Sequence, residues 1–221
     1  DHMTSPNPLL DTTGLPRFAE IRPDHVEPAI EQLLGQAEAA LEAAVSPDTP
    51  ADYDSLSLVL GVATERLGRA WGAVNHLKSV ADTPELRAAF NAMLPKVTEF
   101  YTRQGADERL YARYKAIAAG PATLSAPRKQ VLAHSLRDFV LSGAELQGPA
   151  KDRYTAIQER RAALSQQFSE HVLDATDGFA LYVSSTDLDG VPDDVKAATA
   201  AAAQAKPAIE GGSDPAQAHR L

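Results

Sequence analysis

Cysteine is absent from this 221-residue chain, and aromatic residues make up only 6% of it. The absence of cysteine excludes disulfide bonds and zinc sites built from thiolates. No apolar run approaches the ~20 residues that a membrane-spanning helix needs. The beginning of the chain also lacks the basic segment and apolar stretch of a signal peptide. We therefore expect a cytoplasmic protein without a membrane partner.

Basic residues are outnumbered as well, since 21 lysines and arginines stand against 30 aspartates and glutamates, for a formal net charge of −9. A surface that binds nucleic acid needs clustered basic side chains, because these displace the counterions of the phosphates. The densest basic stretch is Arg160-Arg161, directly after Glu159, which is typical of a solvated helix face. We expect no nucleic-acid partner.

Sequence motifs of catalysis are missing too. A helix-borne zinc peptidase site requires H-E-x-x-H, in which two histidines one turn apart bind the metal and the glutamate activates water. No histidine here has another histidine four residues away; the six are His2, His25, His76, His134, His171 and His219. Neither a G-x-S-x-G elbow nor a Walker loop nor a dinucleotide-binding glycine pattern occurs. The chain is therefore predicted to contain no catalytic, cofactor-binding or metal-binding residue.

Two short patterns of metal ligands remain, and each has a simpler interpretation. His171 and Asp174 share one helix face, but two ligands do not complete a tetrahedral site, so a surface or capping role is favoured. The segment 187–190 has the aspartates and glycine of a calcium loop, yet the twelfth position would be Lys196, whose charge repels the ion. A turn at Asp189-Gly190 is favoured instead.

The residues that are abundant favour helices. Alanine is common, and it loses no side-chain entropy in a helix. Apolar residues recur at three- and four-residue steps, a period that indicates amphipathic helices. The spacing predicts helices over residues 24–45, 54–80, 84–101, 110–117, 126–140, 149–175 and 192–205. The predicted fold is all-α and bundle-like, with at most one or two short strands near 178–185.

Capping residues mark several of these boundaries. Asp24 and Glu27 have the spacing of a capping box at the start of the first helix. Thr83 precedes a first-turn proline, and Gly143 is a natural left-handed stop. Pro95 lies inside the third helix and is expected to kink that helix rather than end it.

The longest predicted helix carries an apolar stripe that we expect to face inward: Tyr154, Ile157, Leu164, Phe168 and Val172. Trp71 lies in a similar stripe, which favours core packing over ligand stacking. Residues 179–183 then form a predicted strand. A lone strand cannot satisfy its backbone hydrogen bonds, so its partner must come from elsewhere, and sequence outside this chain is one candidate source.

Short blocks of sequence, in order between Asn7 and Gly211, carry a family resemblance. They are Asn7-Pro8-Leu9-Leu10 with Leu15-Pro16-Arg17-Phe18 and Ile21-Arg22-Pro23-Asp24-His25-Val26; Val74-Asn75-His76-Leu77-Lys78-Ser79-Val80 with Thr83-Pro84-Glu85-Leu86-Arg87; Leu136-Arg137-Asp138-Phe139 with Leu141-Ser142-Gly143; Phe168-Ser169 with Val172-Leu173-Asp174-Ala175-Thr176; Leu188-Asp189-Gly190-Val191-Pro192; and Glu210-Gly211. Together, their order and spacing resemble the N-terminal region of the thimet-oligopeptidase-like zinc metallopeptidases, the M3 family.

The resemblance implies two mostly helical lobes around a deep channel, in which the intact enzyme hydrolyses short peptides with zinc. The zinc and the H-E-x-x-H helix belong to a lobe formed by later sequence, and this chain would form the opposite wall. No catalytic or zinc-binding residue of the family maps onto the chain, so we expect it to be inactive by itself. Its expected partners are short peptides, the catalytic lobe and, through an exposed apolar surface, a second copy of itself.

The chain departs from the family at two places. The resemblance implies asparagines near Glu170 and His171, and this chain has neither; after Glu210-Gly211 a polar tail replaces the expected strand and catalytic region. The domain prediction is a cloning remnant at 1–3, the helical lobe at 4–205 and a disordered, unrelated tail at 206–221. An engineered truncation and a frameshifted gene both account for this pattern. The alternative function is a stand-alone helical interaction or assembly module.

Overall fold

The computed structural model describes residues 7–205 and 218–221; the predicted remnant at 1–3 and most of the predicted tail, 206–217, lie outside the described residues. The chain divides into two compact units after Gln167. The helices are α1 (Pro23–Val45), α2 (Tyr53–Leu56), α3 (Val62–Val80), α4 (Pro84–Gly105), α5 (Glu108–Ala119), α6 (Ala126–Leu141), α7 (Pro149–Gly178) and α8 (Asp193–Ala205). The strands are β1 (Tyr182–Val183) and β2 (His219–Arg220). The predicted mainly helical class is confirmed, and none of the described helices is long and apolar enough to cross a membrane.

Helix α1 begins one residue earlier than predicted, and a different side chain caps it. Pro23 takes the first helical position, where its missing N–H leaves no donor unsatisfied. The backbone N–H of Arg22 donates to Nδ1 of His25 at 3.1 Å. The predicted capping box of Asp24 and Glu27 is therefore wrong, and the Asp24 carboxylate instead accepts a hydrogen bond from the Arg22 guanidinium at 3.2 Å.

The predicted second helix is divided by a wider turn. Residues 57–61 form a π-helical segment between α2 and α3, and such segments insert one extra residue into a helix. Leu60, within this segment, and Leu67, in α3, are nevertheless both buried. Helix α4 begins as predicted, because the Thr83 hydroxyl accepts the N–H of Leu86 at 3.2 Å. It continues through Pro95, where the expected kink stays a prediction.

The first unit is built around α1, which packs against α3 and α4. The most deeply buried side chains of this core include Val26, Ile30, Leu67, Val74, Met93 and Phe100. Trp71 stacks on Phe90 with ring centroids 4.4 Å apart, which confirms its predicted role in packing. A second cluster joins the later part of α1 to α5 and α6 through Leu41, Leu110 and Phe139. Helix α1 therefore contributes to both clusters.

A row of exposed ion pairs, which we call the charged seam, joins α1 to α4 and α5. Glu31 pairs with Lys96 at 2.6 Å, Glu38 with Arg103 at 2.8 Å, and Glu42 with Arg109 at 2.8 Å. The first two pairs have the same separation in sequence, 65 residues, so α1 and α4 run parallel. Exposed pairs of this kind each contribute little to stability, since water screens them.

The second unit contains a small antiparallel sheet. Tyr182 pairs with Arg220 and Val183 with His219, so the partner of the predicted strand lies within this chain. His219 is buried, and its ring nitrogens lie 3.1 Å from the Ser185 hydroxyl and 3.0 Å from the Thr199 hydroxyl. The described end of the tail, 218–221, thus contains a strand where disorder was predicted.

Helix α7 differs most from its predicted role. None of its described residues is fully buried. Phe168 is 70% exposed, and Ile157, Leu164 and Val172 are close to half exposed. The prediction that this stripe faces inward is therefore wrong for these four residues, whereas Tyr154 is half-buried. The apolar period identifies a face that favours contact with another surface, but it does not identify the partner, and the described residues do not cover it.

Two leucines on consecutive helical segments allow a matched test of the first core. Leu67→Ala should lower the free energy of unfolding by ~2–5 kcal/mol, because Leu67 is fully buried and its removal leaves a cavity. Leu58→Ala removes the same atoms from a side chain that is 71% exposed and should change that free energy by less than ~0.5 kcal/mol. Urea unfolding followed by the fluorescence of Trp71, the single tryptophan, measures both. Equal losses in the two variants would contradict the described core.

The cap of α5 predicts a specific dependence on pH. Burial alone raises the pKa of the Asp107 carboxyl, but hydrogen bonds from the Arg109 guanidinium and from the backbone N–H groups of Leu110 and Arg109 outweigh this and lower the pKa. A carboxyl whose pKa is lower in the folded state stabilises the protein above its unfolded pKa. That stabilisation is lost as the pH falls through the folded pKa.

We therefore expect Asp107→Asn to lower the free energy of unfolding at neutral pH. Below about pH 4 the variant should lose less of that free energy than the parent does. Urea unfolding of both proteins between neutral and acidic pH measures the difference. Glu27→Gln, which removes a carboxylate at an exposed position of α1, is the matched control. Parallel profiles for the Asp107 variant and the parent would show that this carboxylate does not stabilise the fold.

Candidate functional site

The described histidines lie far apart in the chain and serve separate local contacts. His25 accepts the hydrogen bond at the start of α1, His76 packs against the ring of Phe18, and His134 contacts Gln130. His171 lies exposed on α7, and His219 is held between two hydroxyl groups. Within residues 7–205 and 218–221, no three histidine, aspartate or glutamate side chains converge in a group that could hold a metal ion. These residues do not fit a zinc ion, and no step through zinc is assigned to them.

The predicted turn near Gly190 is also a local structure. The Asp187 carboxylate accepts hydrogen bonds from the hydroxyl and the backbone N–H of Ser184, at 2.6 and 2.9 Å. These two bonds, the hydroxyl first, lower the pKa of Asp187. Gly190 takes a left-handed conformation with φ of +79°. The aspartate therefore caps the 3-10 turn Ser185–Leu188, and the turn interpretation is favoured over a calcium loop.

A groove of about 590 Å³ lies in the first unit, between α3, α4, the end of α6 and the first half of α7. Its walls carry three aromatic rings, several hydroxyls, one side-chain amide and one guanidinium; the lining residues are Trp71, Val97, Thr98, Tyr101, Thr102, Ser142, Tyr154, Gln158, Arg161, Ala162 and Ser165. We call it the aromatic groove. Its size falls within the range of protein sites that bind small ligands, and apolar walls with a few polar groups are typical of such sites.

Packing behind the aromatic groove holds its rings in place. Trp71 is stacked on Phe90. The ammonium of the buried Lys78 lies 5.5 Å from the centre of the Phe90 ring and makes a cation–π contact with it. The Tyr154 hydroxyl donates to the carbonyl oxygen of Leu141 at 3.3 Å. Gly143, with φ of +86°, lets the Tyr154 ring approach the backbone, since a Cβ there would lie 3.3 Å from that ring. The aromatic walls are therefore preorganised.

One ring of the aromatic groove has a carboxylate near it, and a guanidinium lines the groove. Burial raises the pKa of the Tyr101 phenol, and the Glu65 carboxylate adds to this effect. Tyr101 is therefore neutral over a wide pH range, with a negative charge nearby. Arg161 lines the groove on α7, and no described residue forms an ion pair or a hydrogen bond with its guanidinium. Gln158, one turn earlier, also makes no hydrogen bond to a described residue.

A neighbouring charged groove of about 490 Å³ shows the opposite arrangement. It lies between α4, α5 and α7, and its charged side chains bind one another. Lys151 pairs with Glu108 at 3.0 Å, and Arg109 pairs with Asp107 at 2.8 Å. Because these groups neutralise one another, this surface offers little to a charged ligand. The aromatic groove is the better candidate for a binding site.

The aromatic groove was not predicted from the sequence. Trp71 was assigned to packing, which is confirmed, but it also lines the groove. Arg160-Arg161 was interpreted as a solvated helix face, and Arg161 turns out to line the groove as well. The groove joins residues from distant helices, so no local spacing marks it. One feature of the sequence does relate to the groove. Gly143 adopts a left-handed turn, and the ring of Tyr154 packs against it.

Comparison with known proteins identifies the family. The family model for the N-terminal domain of neurolysin and thimet oligopeptidase matches residues 29–151. Oligopeptidase A of Salmonella typhimurium is 39% identical over 203 residues, which cover 90% of this chain and 30% of that protein. Oligopeptidase A of Escherichia coli is 38% identical over 203 residues, with the same coverage. The probable cytosolic oligopeptidase A of Arabidopsis thaliana is 37% identical over 194 residues, 85% of this chain and 27% of that protein.

The match is extensive for this chain but partial for its relatives. The chain spans about 30% of the length of the bacterial proteins. The matched residues 29–151 include most of α1 and all of α2 to α6, together with most of the core against which Trp71 packs. The resemblance inferred from the short sequence blocks is therefore confirmed, and the chain belongs to the neurolysin/thimet oligopeptidase family.

Proposed function

We propose that this chain supplies a helical, non-catalytic wall of the substrate channel in a zinc-dependent oligopeptidase, and that it does not hydrolyse peptides by itself. The observation that supports this most is the 39% identity to an oligopeptidase A over 90% of the chain, which covers only 30% of that protein. The sequence also contains no H-E-x-x-H motif, so the zinc ligands and the water-activating glutamate would belong to other sequence.

Peptides of limited length are the proposed substrates. The two bacterial relatives are oligopeptidases A, a name that describes enzymes acting on oligopeptides. A channel between two lobes admits an unstructured peptide and excludes folded proteins, because its walls leave no room for a globular domain. The aromatic groove supports a role in binding peptides, since it offers rings for apolar side chains and an amide for backbone groups.

The exposed apolar stripe of α7 indicates that another protein surface packs against this helix. We propose that the catalytic lobe of the family covers Ile157, Leu164 and Phe168, which are exposed in this chain. In the absence of that lobe, the same stripe favours association with a second copy, and a helical assembly module is the alternative function. The name of the plant relative supports a cytoplasmic location. No partner of the nucleic-acid or membrane class is proposed.

A chimeric enzyme tests the proposed role. The matching 203 residues of the Salmonella oligopeptidase A are replaced by those of this chain, and hydrolysis of a quenched fluorescent peptide of about ten residues is measured with and without a chelator. We expect chelator-sensitive cleavage by the chimera and none by the chain alone. A chimera whose H-E-x-x-H glutamate is replaced by glutamine provides the inactive control.

Two outcomes would overturn the proposal. Zinc-dependent cleavage that co-purifies with the isolated chain would show that it is catalytic. A chimera that folds, as judged by circular dichroism and a cooperative melt, but that cleaves no peptide would show that this chain does not form a working channel wall. In the latter case the alternative assembly function would be examined by measuring the mass of the isolated chain in solution.

A further inference from the structure

We propose that the aromatic groove binds a carboxylate of the peptide substrate through Arg161, with the preceding apolar side chain against Trp71. This inference rests on the proposed function and identifies which part of a peptide the channel wall would recognise. The carboxylate is either the C-terminus of the peptide or the side chain of an aspartate or glutamate within it. Both sources present the same planar pair of oxygens to a guanidinium.

The unpaired guanidinium is the first argument. Arg103, Arg109 and Arg128 each form an ion pair with a carboxylate of the described chain. Arg161 forms none, although the chain has a net charge of −9 and acidic side chains are plentiful. Its donors are therefore available to a ligand. A guanidinium binds carboxylates in a bidentate geometry, which makes it selective for that group.

The surroundings of Arg161 are the second argument, because they favour a peptide over a small anion. Trp71, Tyr101 and Tyr154 provide apolar area that an inorganic ion would not use. Gln158 lies three positions before Arg161 on α7, and its amide can both donate to and accept from a peptide backbone. The volume of about 590 Å³ suits part of a peptide, so the site would hold a short segment of a longer substrate.

Peptide binding to the chain itself tests the inference. The fluorescence of Trp71, the single tryptophan, reports directly from the groove. The probes are the acetylated tetrapeptide Ac-Ala-Ala-Phe-Leu as the free acid, the same peptide as its amide, and the amide with aspartate in place of leucine. We expect at least one of the two peptides that carry a carboxylate to bind about tenfold more tightly than the neutral amide, and their comparison identifies the source.

Two variants of adjacent arginines make the test specific. Arg161→Gln should weaken binding of the favoured peptide about tenfold and leave binding of the neutral amide unchanged. Arg160→Gln removes the same charge from the neighbouring position, which does not line the aromatic groove, and should retain the preference. Both side chains are exposed, so neither variant should alter the thermal unfolding midpoint.

Several results would overturn the inference. They are equal binding of all three peptides, equal losses in the two arginine variants, and no binding at about 1 mM peptide by both Trp71 fluorescence and titration calorimetry. The measurement needs no hydrolysis, so it is independent of the proposed function. In a chimera that cleaves peptides, Arg161→Gln could change neither the KM nor the kcat for the favoured peptide. That result would support the proposed channel wall and refute only the carboxylate site.

Discussion

The packing of α1 against α3 and α4 is the contact on which the rest of the first unit depends. Ile30, Leu67 and Phe100 come from these three helices, and each is fully buried. Small residues such as Ala29 and Ala37 are buried on the same face of α1, which allows the helices to approach closely. Val97 belongs to this core and Trp71 packs against it, and both also line the aromatic groove, so the core positions part of the wall of the groove.

Local chemistry allowed much of the fold to be predicted. The Thr83 cap, the left-handed Gly143 and the periodicity of the helices depend on neighbours in sequence, and these predictions agree with the structure. The predicted capping box of Asp24 and Glu27 does not form because Pro23 favours the earlier start, where His25 accepts the N–H of Arg22. The strand near residue 182 was found, but its partner His219 is distant in sequence, and pairing over such a separation leaves no local pattern.

The candidate site was less accessible to prediction than the fold. Apolar periodicity shows that a helix face such as that of α7 favours contact with another surface, but it does not show whether that surface belongs to the same chain. This is why Phe168 was expected to face inward and is exposed instead. The aromatic groove depends on the meeting of α3, α4, the end of α6 and α7, and the absence of an ion pair at Arg161 becomes visible only when the charged side chains of the described residues have been placed.

The charged seam also has a kinetic consequence. All three acids, Glu31, Glu38 and Glu42, lie on α1, and all three bases lie on the helices beside it. Such a uniform arrangement attracts α1 at several registers, so it cannot by itself select the correct one. It can, however, bring the helices together before their apolar side chains interlock, as charge steering does between separate proteins. The seam would then accelerate the collapse of the chain, and added salt would slow folding more than it lowers stability.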